Sequence, residues 1–242
     1  MIIYVQTEKD GLPYNMNTYA ALRGFQQMGF ETRLFYDSHE LDEVTTEDMV
    51  VGGVGRVKGF LEKRGIVVSD IDYPDSLQKY YGRKIWESTT NEFLKNNRVY
   101  PVFIKPRVGK QFNGFVCRKE SDLIGRLSPQ ENALLFCSEV VDMAAEWRCF
   151  VRYGEILDIR RYTGELGVIY NLGVVSKMID EYAEAPAAYA LDVGLTKDGK
   201  TVIVEVNDGY SLGCYGLDPL LYAKLLSARW AQIVGRDDEC DF

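Results

Sequence analysis

Histidine is nearly absent from this sequence, and its cysteines are few and scattered. The chain of 242 residues has one histidine, His39, and five cysteines, no two of which have C-x-x-C spacing. This scarcity excludes most zinc-site patterns, and it excludes any Ser-His-Asp triad that does not use His39. An odd number of unclustered cysteines is typical of a reduced intracellular chain in which cysteine packs as a small apolar residue. We therefore expect a cytoplasmic protein.

Long apolar runs and an excess of positive charge are also lacking. No apolar run approaches the roughly 20 residues that a membrane helix needs. The first residues, MIIYVQTEKDG, become charged too early for a signal peptide. With 28 Lys and Arg against 36 Asp and Glu, the net charge is -8, whereas proteins that bind nucleic acid or acidic membranes are usually basic. We expect neither of these partners.

The first third of the chain alternates short apolar segments with helical patterns, which predicts a small α/β unit with a mostly parallel sheet. The predicted strands are Ile2–Gln6, Glu31–Tyr36, Met49–Val54 and Gly65–Ser69, and the predicted helix is Asn17–Met28. The turn composition of Ser69–Asp75 indicates a domain boundary. We expect one domain over residues 1–75 and a second over residues 76–242.

A glycine-rich stretch in this first unit, GGVGRVKG at Gly52–Gly59, begins like a dinucleotide-binding fingerprint. Its glycines do not have the G-x-G-x-x-G spacing that such a site requires. We interpret it as the turn between a strand and a helix.

The rest of the chain has more strands and shorter connections, which predicts an α+β domain. The predicted helices are Ser76–Leu94, Val174–Tyr182 and Asp218–Val234, and the predicted strands are Tyr100–Lys105, Ala133–Ser138, Trp147–Arg152, Glu155–Arg161, Tyr189–Thr196 and Thr201–Val206. Turns at Tyr153–Glu155 and Lys197–Lys200 join pairs of these strands into hairpins.

Two carboxylates and an amide form the most specific polar group, in the stretch AYALDVGLTKDGKTVIVEVN. Glu205 and Asn207 are two residues apart on one strand and therefore project from the same face. The hairpin centred on Asp198 and Gly199 brings Asp192 alongside them. Such oxygen ligands suit Mg²⁺, which takes its remaining ligands from water and phosphates. An amphipathic hairpin with one solvated face fits the spacing equally well.

Lysines precede this group. Lys105 ends an apolar strand, where its ammonium suits phosphate oxygens, although a lysine at a sheet edge that only reaches solvent is the alternative. The loop Arg107–Gly114 follows, and its glycines and Lys110 allow it to close over phosphates, although it is not a P-loop. A surface hairpin explains this loop as well.

A second group of polar residues lies between the lysines and the metal candidates. Backbone groups of Glu139, Val140 and Val141 are placed to meet an adenine edge, and Glu146 is placed to accept from ribose hydroxyls; two surface glutamates are the alternative. Three arginines on the paired strands around the Tyr153–Glu155 turn suit anions or salt bridges: Arg148, Arg160 and Arg161.

The order of these motifs is more specific than any one of them. Lys84, a strand that ends in Lys-Pro, a glycine-containing loop, an E-x(6)-E segment and a final D…E-x-N follow one another between Ser76 and Val234. This order resembles the ATP-grasp superfamily, and in particular its compact clade named for two arginines and a lysine.

The resemblance implies a fold and a set of roles. It implies a Rossmann-like α/β pre-ATP-grasp domain followed by an α+β ATP-grasp domain, whose two subdomains grip ATP. It implies that Lys84 and Lys105 contact the phosphates, that the segment from Glu139 to Val141 holds the adenine, and that Glu146 holds the ribose. It implies that Mg²⁺ is bound by Asp192, Glu205 and Asn207. It also implies that the phosphate or an acyl-phosphate is bound by Arg148, Arg160 and Arg161.

The implied activity is an ADP-forming ligation of a carboxylate, on a peptide, amino acid or small molecule, to an amine. Many ligases of the family carry an arginine two positions before the residue equivalent to Asp192, where this chain has Ala190. That departure keeps two alternatives open: a nucleotide-binding module without turnover, and a kinase that stops at phosphoryl transfer. The sequence does not name the substrates or the oligomeric state.

Overall fold

The computed structural model of the chain describes residues 1–95, 99–107 and 112–242. Its strands β1 to β11 are Ile2–Gln6, Glu31–Phe35, Met49–Val51, Ile85–Thr89, Val102–Pro106, Phe115–Cys117, Leu134–Glu139, Met143–Arg152, Glu155–Gly164, Ala188–Thr196 and Thr201–Asp208. Its α-helices α1 to α5 are Met16–Gln27, Val54–Glu62, Thr90–Lys95, Leu172–Asp180 and Pro219–Val234.

The first three strands form a parallel sheet in the order β2-β1-β3, which confirms the predicted parallel sheet. The predicted fourth strand at Gly65–Ser69 is wrong. Gly65 has φ +77° and ends the turn after α2, and the segment that follows pairs with no described strand. Val68 of this segment is buried in the core and Ile66 packs against it, whereas Val67 is exposed.

The core of the parallel sheet is shared with the end of the chain. Ile3 and Phe25 belong to the same buried cluster as Tyr222 and Trp230 of α5. Helix α1 lies directly on α5, and Gly24 is at the closest approach. The first 75 residues therefore do not form a core of their own, and the domain boundary at residue 75 stays a prediction.

Two antiparallel four-stranded sheets make up the rest, in the orders β4-β7-β5-β6 and β11-β10-β8-β9. The first packs on a core that includes Phe93, Ile104 and Leu135. The second buries one face under α4, with Met178 and Leu191 in the same cluster. These sheets confirm the predicted mixture of strands and helices in this part of the chain.

The prediction of a single helix over Ser76–Leu94 is wrong. The structure has a 3-10 helix at Asp75–Tyr80, then β4, then the short helix α3. Gly82 stops the first helix because it has φ +63° and lies against Val202. Ile85 pairs with Ser138 of β7, so tertiary pairing makes a strand of this β-branched and aromatic segment.

All five cysteines are buried. Within the described residues, no helix combines the length and the apolarity that crossing a bilayer requires.

Candidate active site

One row of polar side chains crosses the sheet β11-β10-β8-β9. In register, Glu205 lies opposite Asp192, Asp192 opposite Arg148, and Arg148 opposite Arg160. Residues opposite each other in an antiparallel sheet project from the same face. The predicted metal residues and two of the predicted arginines therefore share one surface.

Arg148 and Asp192 form a buried bidentate ion pair at the centre of this row. Arg148 Nε lies 2.7 Å from Asp192 Oδ1, and Nη2 lies 2.6 Å from Oδ2. Burial raises the pKa of Asp192 to about 6, although its hydrogen bonds to Arg148 act in the opposite direction. The negative charge of this buried carboxylate therefore depends on a neighbouring cation for its stabilisation.

Asn207 links the two carboxylates of the row. Its Nδ2 donates to Asp192 Oδ2 at 3.1 Å and to Glu205 Oε1 at 3.2 Å. A rotation of the amide would turn its oxygen toward the same point. Two carboxylates and an amide oxygen fit Mg²⁺, which keeps waters and binds phosphates. Within the described residues no group of three or more His, Cys, Asp or Glu is arranged for a metal.

Lys105 reaches this row from the other antiparallel sheet. Its Nζ lies 2.8 Å from Glu205 Oε2 and also contacts the Asp72 carboxylate. Burial lowers the pKa of Lys105, but Glu205, Tyr73 and Asp72 outweigh that effect, so its pKa is raised and the ammonium is retained. The ion pair of Lys105 and Glu205 thus links the two antiparallel sheets.

Two tyrosines, Tyr162 and Tyr215, adjoin the polar row. The Tyr162 hydroxyl donates to Glu146 Oε2 at 2.7 Å, and the Tyr162 ring stacks on Tyr215 at 5.1 Å. The Arg148 guanidinium lies 4.8 Å from the centre of the Tyr215 ring. Burial, together with Asp192 and Glu146, raises the pKa of Tyr162 and keeps it neutral.

Asp72 is a residue that the sequence did not indicate as functional. It belongs to the SDIDYPD segment, whose turn composition indicates a domain boundary and not a site. Its carbonyl accepts from the Val206 N–H at 2.9 Å, which places it beside β11 and the metal candidates. Turn composition carries no signal for such a contact, so only the structure reveals it.

Other predicted site residues lie outside the polar row. Lys84 is exposed before β4, and its backbone N–H donates to Glu139 Oε2 at 2.8 Å. Val140 and Val141 connect β7 to β8. Lys110 lies outside the described residues.

Of the other two predicted arginines, Arg160 lies in the polar row but pairs with Asp158 at 2.6 Å. Arg161 lies opposite Trp147, which belongs to the core under α4, so it projects from the other face of the sheet. The structure therefore does not bring Arg161 to the cluster.

The loop Asp208–Gly216 connects the polar row to the end of the parallel sheet. The carbonyl of Gly213 accepts from Arg148 Nη1 at 3.3 Å, and the Cys214 N–H donates to Asn17 Oδ1 at 2.9 Å. The Ser211 hydroxyl donates to the carbonyl of Gly52 at 2.7 Å. The loop therefore joins the N-termini of α1 and α2 to the metal candidates.

A family model of the ATP-grasp domain matches residues 80–225, which is more than half of the chain. It describes family 2 of the clade named for two arginines and a lysine. The chain belongs to this family. The ATP-grasp fold, with ATP and Mg²⁺ as cofactors, is thereby assigned to it, and the donor set described above fits the metal. No curated protein sequence matches the chain.

Solved structures are similar over nearly the whole chain. An ATP-grasp ligase, PsnB, complexed with a minimal precursor matches with a TM-score of 0.54 and 14% identity, over 96% of this chain and 99% of that one. D-alanine–D-alanine ligase from Bacillus anthracis complexed with ATP gives 0.56 and 16%, over 97% and 98%. L-amino acid ligase from Bacillus licheniformis gives 0.58 and 11%, over 96% and 75%. At these identities the similarity establishes the shared fold.

Proposed function

We propose that the protein is an ADP-forming ligase that joins a carboxylate to an amine through an acyl-phosphate. The buried pair of Arg148 and Asp192, in one row with Glu205 and facing Lys105, is the observation that carries the proposal. A row that combines candidate metal ligands with cations supports a site for a phosphoryl group and a carboxylate. The solved structures similar to the chain include an ATP-grasp ligase complexed with a minimal precursor and an L-amino acid ligase, which supports the same class.

Arg148 can supply the positive charge that many ligases of the family carry at the position of Ala190. Ala190 lies opposite Phe150 in the register of β10 and β8, and it is fully buried. No cation is therefore accommodated at position 190. Arg148, which is two residues from Phe150 on the neighbouring strand, supplies a guanidinium directly beside Asp192. This placement favours a catalytic protein over a module without turnover.

The chemistry needs no protein nucleophile. A carboxylate oxygen of the substrate attacks the γ-phosphorus of ATP, the bond to the bridging oxygen breaks, and ADP leaves. The amine nitrogen then attacks the acyl carbon, loses a proton to solvent, and inorganic phosphate leaves. Mg²⁺ held by Asp192, Glu205 and Asn207 neutralises phosphate charge when bound. Lys105 and Arg148 offset the charge that develops on the transferred group.

The test combines binding and trapping. Calorimetry should detect Mg²⁺-dependent binding of ATP, and Glu205→Gln should abolish it, because the substitution removes one charged ligand without changing the shape. Glu165→Gln, at an exposed position after β9, is the matched control and should bind ATP normally. With ATP, hydroxylamine and a panel of carboxylates, the protein should release ADP and form a hydroxamate.

Each other outcome selects one of the alternatives. ADP formed with a phosphorylated product but without hydroxamate identifies a kinase. ATP binding without ADP release with any carboxylate identifies a nucleotide-binding module. Absence of ATP binding overturns the proposal at its base. We keep the cytoplasmic location as part of the proposal, supported by the five buried cysteines.

A further inference from the structure

Tyr215, in the loop Asp208–Gly216, packs its ring on the Arg148 guanidinium. The central carbon of the guanidinium lies 4.8 Å from the ring centre, which is the distance of a cation–π contact. The side chain of Arg148 is 7% exposed, whereas Tyr215 is 48% exposed. The tyrosine therefore helps to shield the guanidinium from solvent.

Gly213 brings the backbone of the same loop against this pair. A Cβ built on Gly213 would lie 3.1 Å from the Tyr215 ring and 3.3 Å from Arg148 Nη1, so a larger residue would crowd both groups. The Gly213 carbonyl accepts from Nη1 at 3.3 Å. One short loop thus supplies a backbone acceptor and an aromatic ring to a single guanidinium.

The backbone of Tyr215 has a left-handed conformation, with φ +41°. This conformation is uncommon for a residue with a side chain, and it persists only where the surroundings hold it. Gly216, the next residue, has φ +77°, so the chain has a glycine beside a position where a glycine would cost less. The contacts of the Tyr215 ring must therefore offset the backbone strain.

Tyr162 supports the Tyr215 ring from the edge of the sheet. The two rings stack at 5.1 Å with an angle of 27° between their planes. The register of β8 and β9 shifts between Glu146 and Trp147, which makes Tyr162 the extra residue of a β-bulge. Bulges redirect side chains, and here the Tyr162 hydroxyl is bonded to Glu146 at 2.7 Å. The ring on which Tyr215 stacks is thus itself fixed.

Arg148 needs contacts besides Asp192 when the site is loaded. Asp192 holds the guanidinium with two hydrogen bonds, but it is also a candidate ligand of Mg²⁺. A carboxylate that binds a divalent cation attracts a guanidinium less, because the two positive charges repel each other. The Gly213 carbonyl and the Tyr215 ring are not candidate ligands, so their contacts with Arg148 do not compete with the metal.

We propose that Tyr215, held by Tyr162, is a positioning residue that fixes the Arg148 guanidinium over the polar row during phosphoryl transfer. Its part in the transfer rests on the proposed function, whereas its hold on Arg148 does not. Because Tyr215 acts through Arg148, its ring should matter for the rate of transfer and not for the binding of ATP.

Chemical modification tests the hold on Arg148 without any ligand. Phenylglyoxal reacts with accessible guanidinium groups, and peptide mass spectrometry measures the rate at each arginine. Tyr215→Leu removes the aromatic face and should speed the modification of Arg148 at least about fivefold. Tyr215→Phe keeps the ring and should react like wild type. Arg236, which is exposed, is the internal reference and should react equally in all variants.

Steady-state kinetics tests the role in transfer, with ATP, hydroxylamine and the carboxylate that gives most hydroxamate. Tyr215→Leu should lower kcat for ADP release about tenfold and leave the KM for ATP within about twofold of wild type. Tyr215→Phe should restore kcat. A raised KM for ATP with an unchanged kcat would place Tyr215 in nucleotide binding and overturn the proposal.

Tyr153 is a matched control with the same local geometry at the turn between β8 and β9. It has φ +51°, is 47% exposed, and its ring centre lies 4.6 Å from the Arg152 guanidinium. Tyr153→Leu should change neither kcat nor the modification of Arg148. An equal loss of kcat in Tyr153→Leu and Tyr215→Leu would be a general effect of removing a tyrosine, and the proposal would be wrong.

Thermal unfolding checks that each variant folds, and Tyr215→Met takes the place of Tyr215→Leu if the latter does not. The two proposals fail separately. If no carboxylate gives a hydroxamate, the ligase proposal fails, while faster modification of Arg148 in Tyr215→Leu still supports its positioning by Tyr215. If Arg148 is modified at the wild-type rate in Tyr215→Leu, the positioning is refuted whatever the reaction.

Discussion

At the residue scale, the contacts of Lys105 bear on the proposed nucleotide site. Its ammonium is held by two carboxylates, Asp72 from the segment before the antiparallel sheets and Glu205 from β11. The Tyr73 ring lies 4.7 Å below the same ammonium. Phosphates of ATP must compete with both carboxylates for this cation, since an ammonium offers only three donors.

The first prediction concerns Asp72→Asn. Removing this carboxylate removes a competitor for Lys105 and a negative charge near the phosphates, so Mg-ATP should bind about three- to tenfold more tightly. Calorimetry measures the Kd. Asp70→Asn is the matched control, because Asp70 is two residues away and pairs with Lys58 at 2.9 Å. Weaker binding by Asp72→Asn would show that Asp72 assists the nucleotide instead of competing with it.

At the element scale, the contact between α1 and α5 decides how the parallel sheet meets the rest of the chain. A Cβ built on Gly24 would lie 1.9 Å from the carbonyl oxygen of Pro219 and 2.8 Å from the Ala223 Cβ. Only glycine allows this distance. The same α1 presents Asn17 to the loop Asp208–Gly216, so the helix contact also positions one wall of the site.

The second prediction is that Gly24→Ala destabilises the protein although alanine favours helices. Overpacking against a backbone carbonyl should cost about 2–3 kcal/mol net, after the gain of up to about 1 kcal/mol in helix propensity. Urea unfolding measures the difference. Gly59→Ala, in α2 with nothing within 4 Å of its Cβ, should instead stabilise by about 0.5–1 kcal/mol. Equal effects of both substitutions would contradict the close helix contact.

At the scale of the whole molecule, the C-terminal segment is tied back to the turn between β8 and β9. The Asp238 carboxylate accepts from Arg152 at 2.8 Å and from the Tyr153 hydroxyl at 3.0 Å, and its side chain is 3% exposed. Burial acts to raise its pKa, but hydrogen bonds from Ser227 and Arg152 outweigh it, so the pKa lies below the ordinary value of 3.8.

The third prediction follows from the sign of this shift. A carboxyl whose pKa is lower in the folded state stabilises the fold above its unfolded pKa and loses that contribution as the pH falls. Asp238→Asn should therefore be less stable than wild type at neutral pH, and the difference should shrink below about pH 4. Urea unfolding at several pH values measures it. Asp237→Asn, an exposed neighbour, should match wild type throughout; a difference for Asp238→Asn that is independent of pH would exclude the carboxylate as the cause.

Much of the polar row could be predicted from the sequence because its causes are local. Strand periodicity puts Glu205 and Asn207 on one face, and the tight turn at Asp198 and Gly199 brings Asp192 beside them. The sequence indicates Arg148 as a candidate but not its bidentate bond to Asp192, because the pairing of β8 with β10 depends on residues about forty positions apart in the chain.

What the sequence by itself determined is the family, the order of its motifs, the parallel sheet and the hairpin with the metal candidates, since each depends on neighbours along the chain. The tertiary structure alone decided that Ile85–Thr89 is a strand, that α5 closes the first core, and that Asp72 and Tyr162 join the site. The physical reason is that these contacts are long-range: Gly82 meets Val202, and Asp72 meets Lys105, only after distant segments have packed together. The spacing of residues along the chain does not predict such long-range contacts.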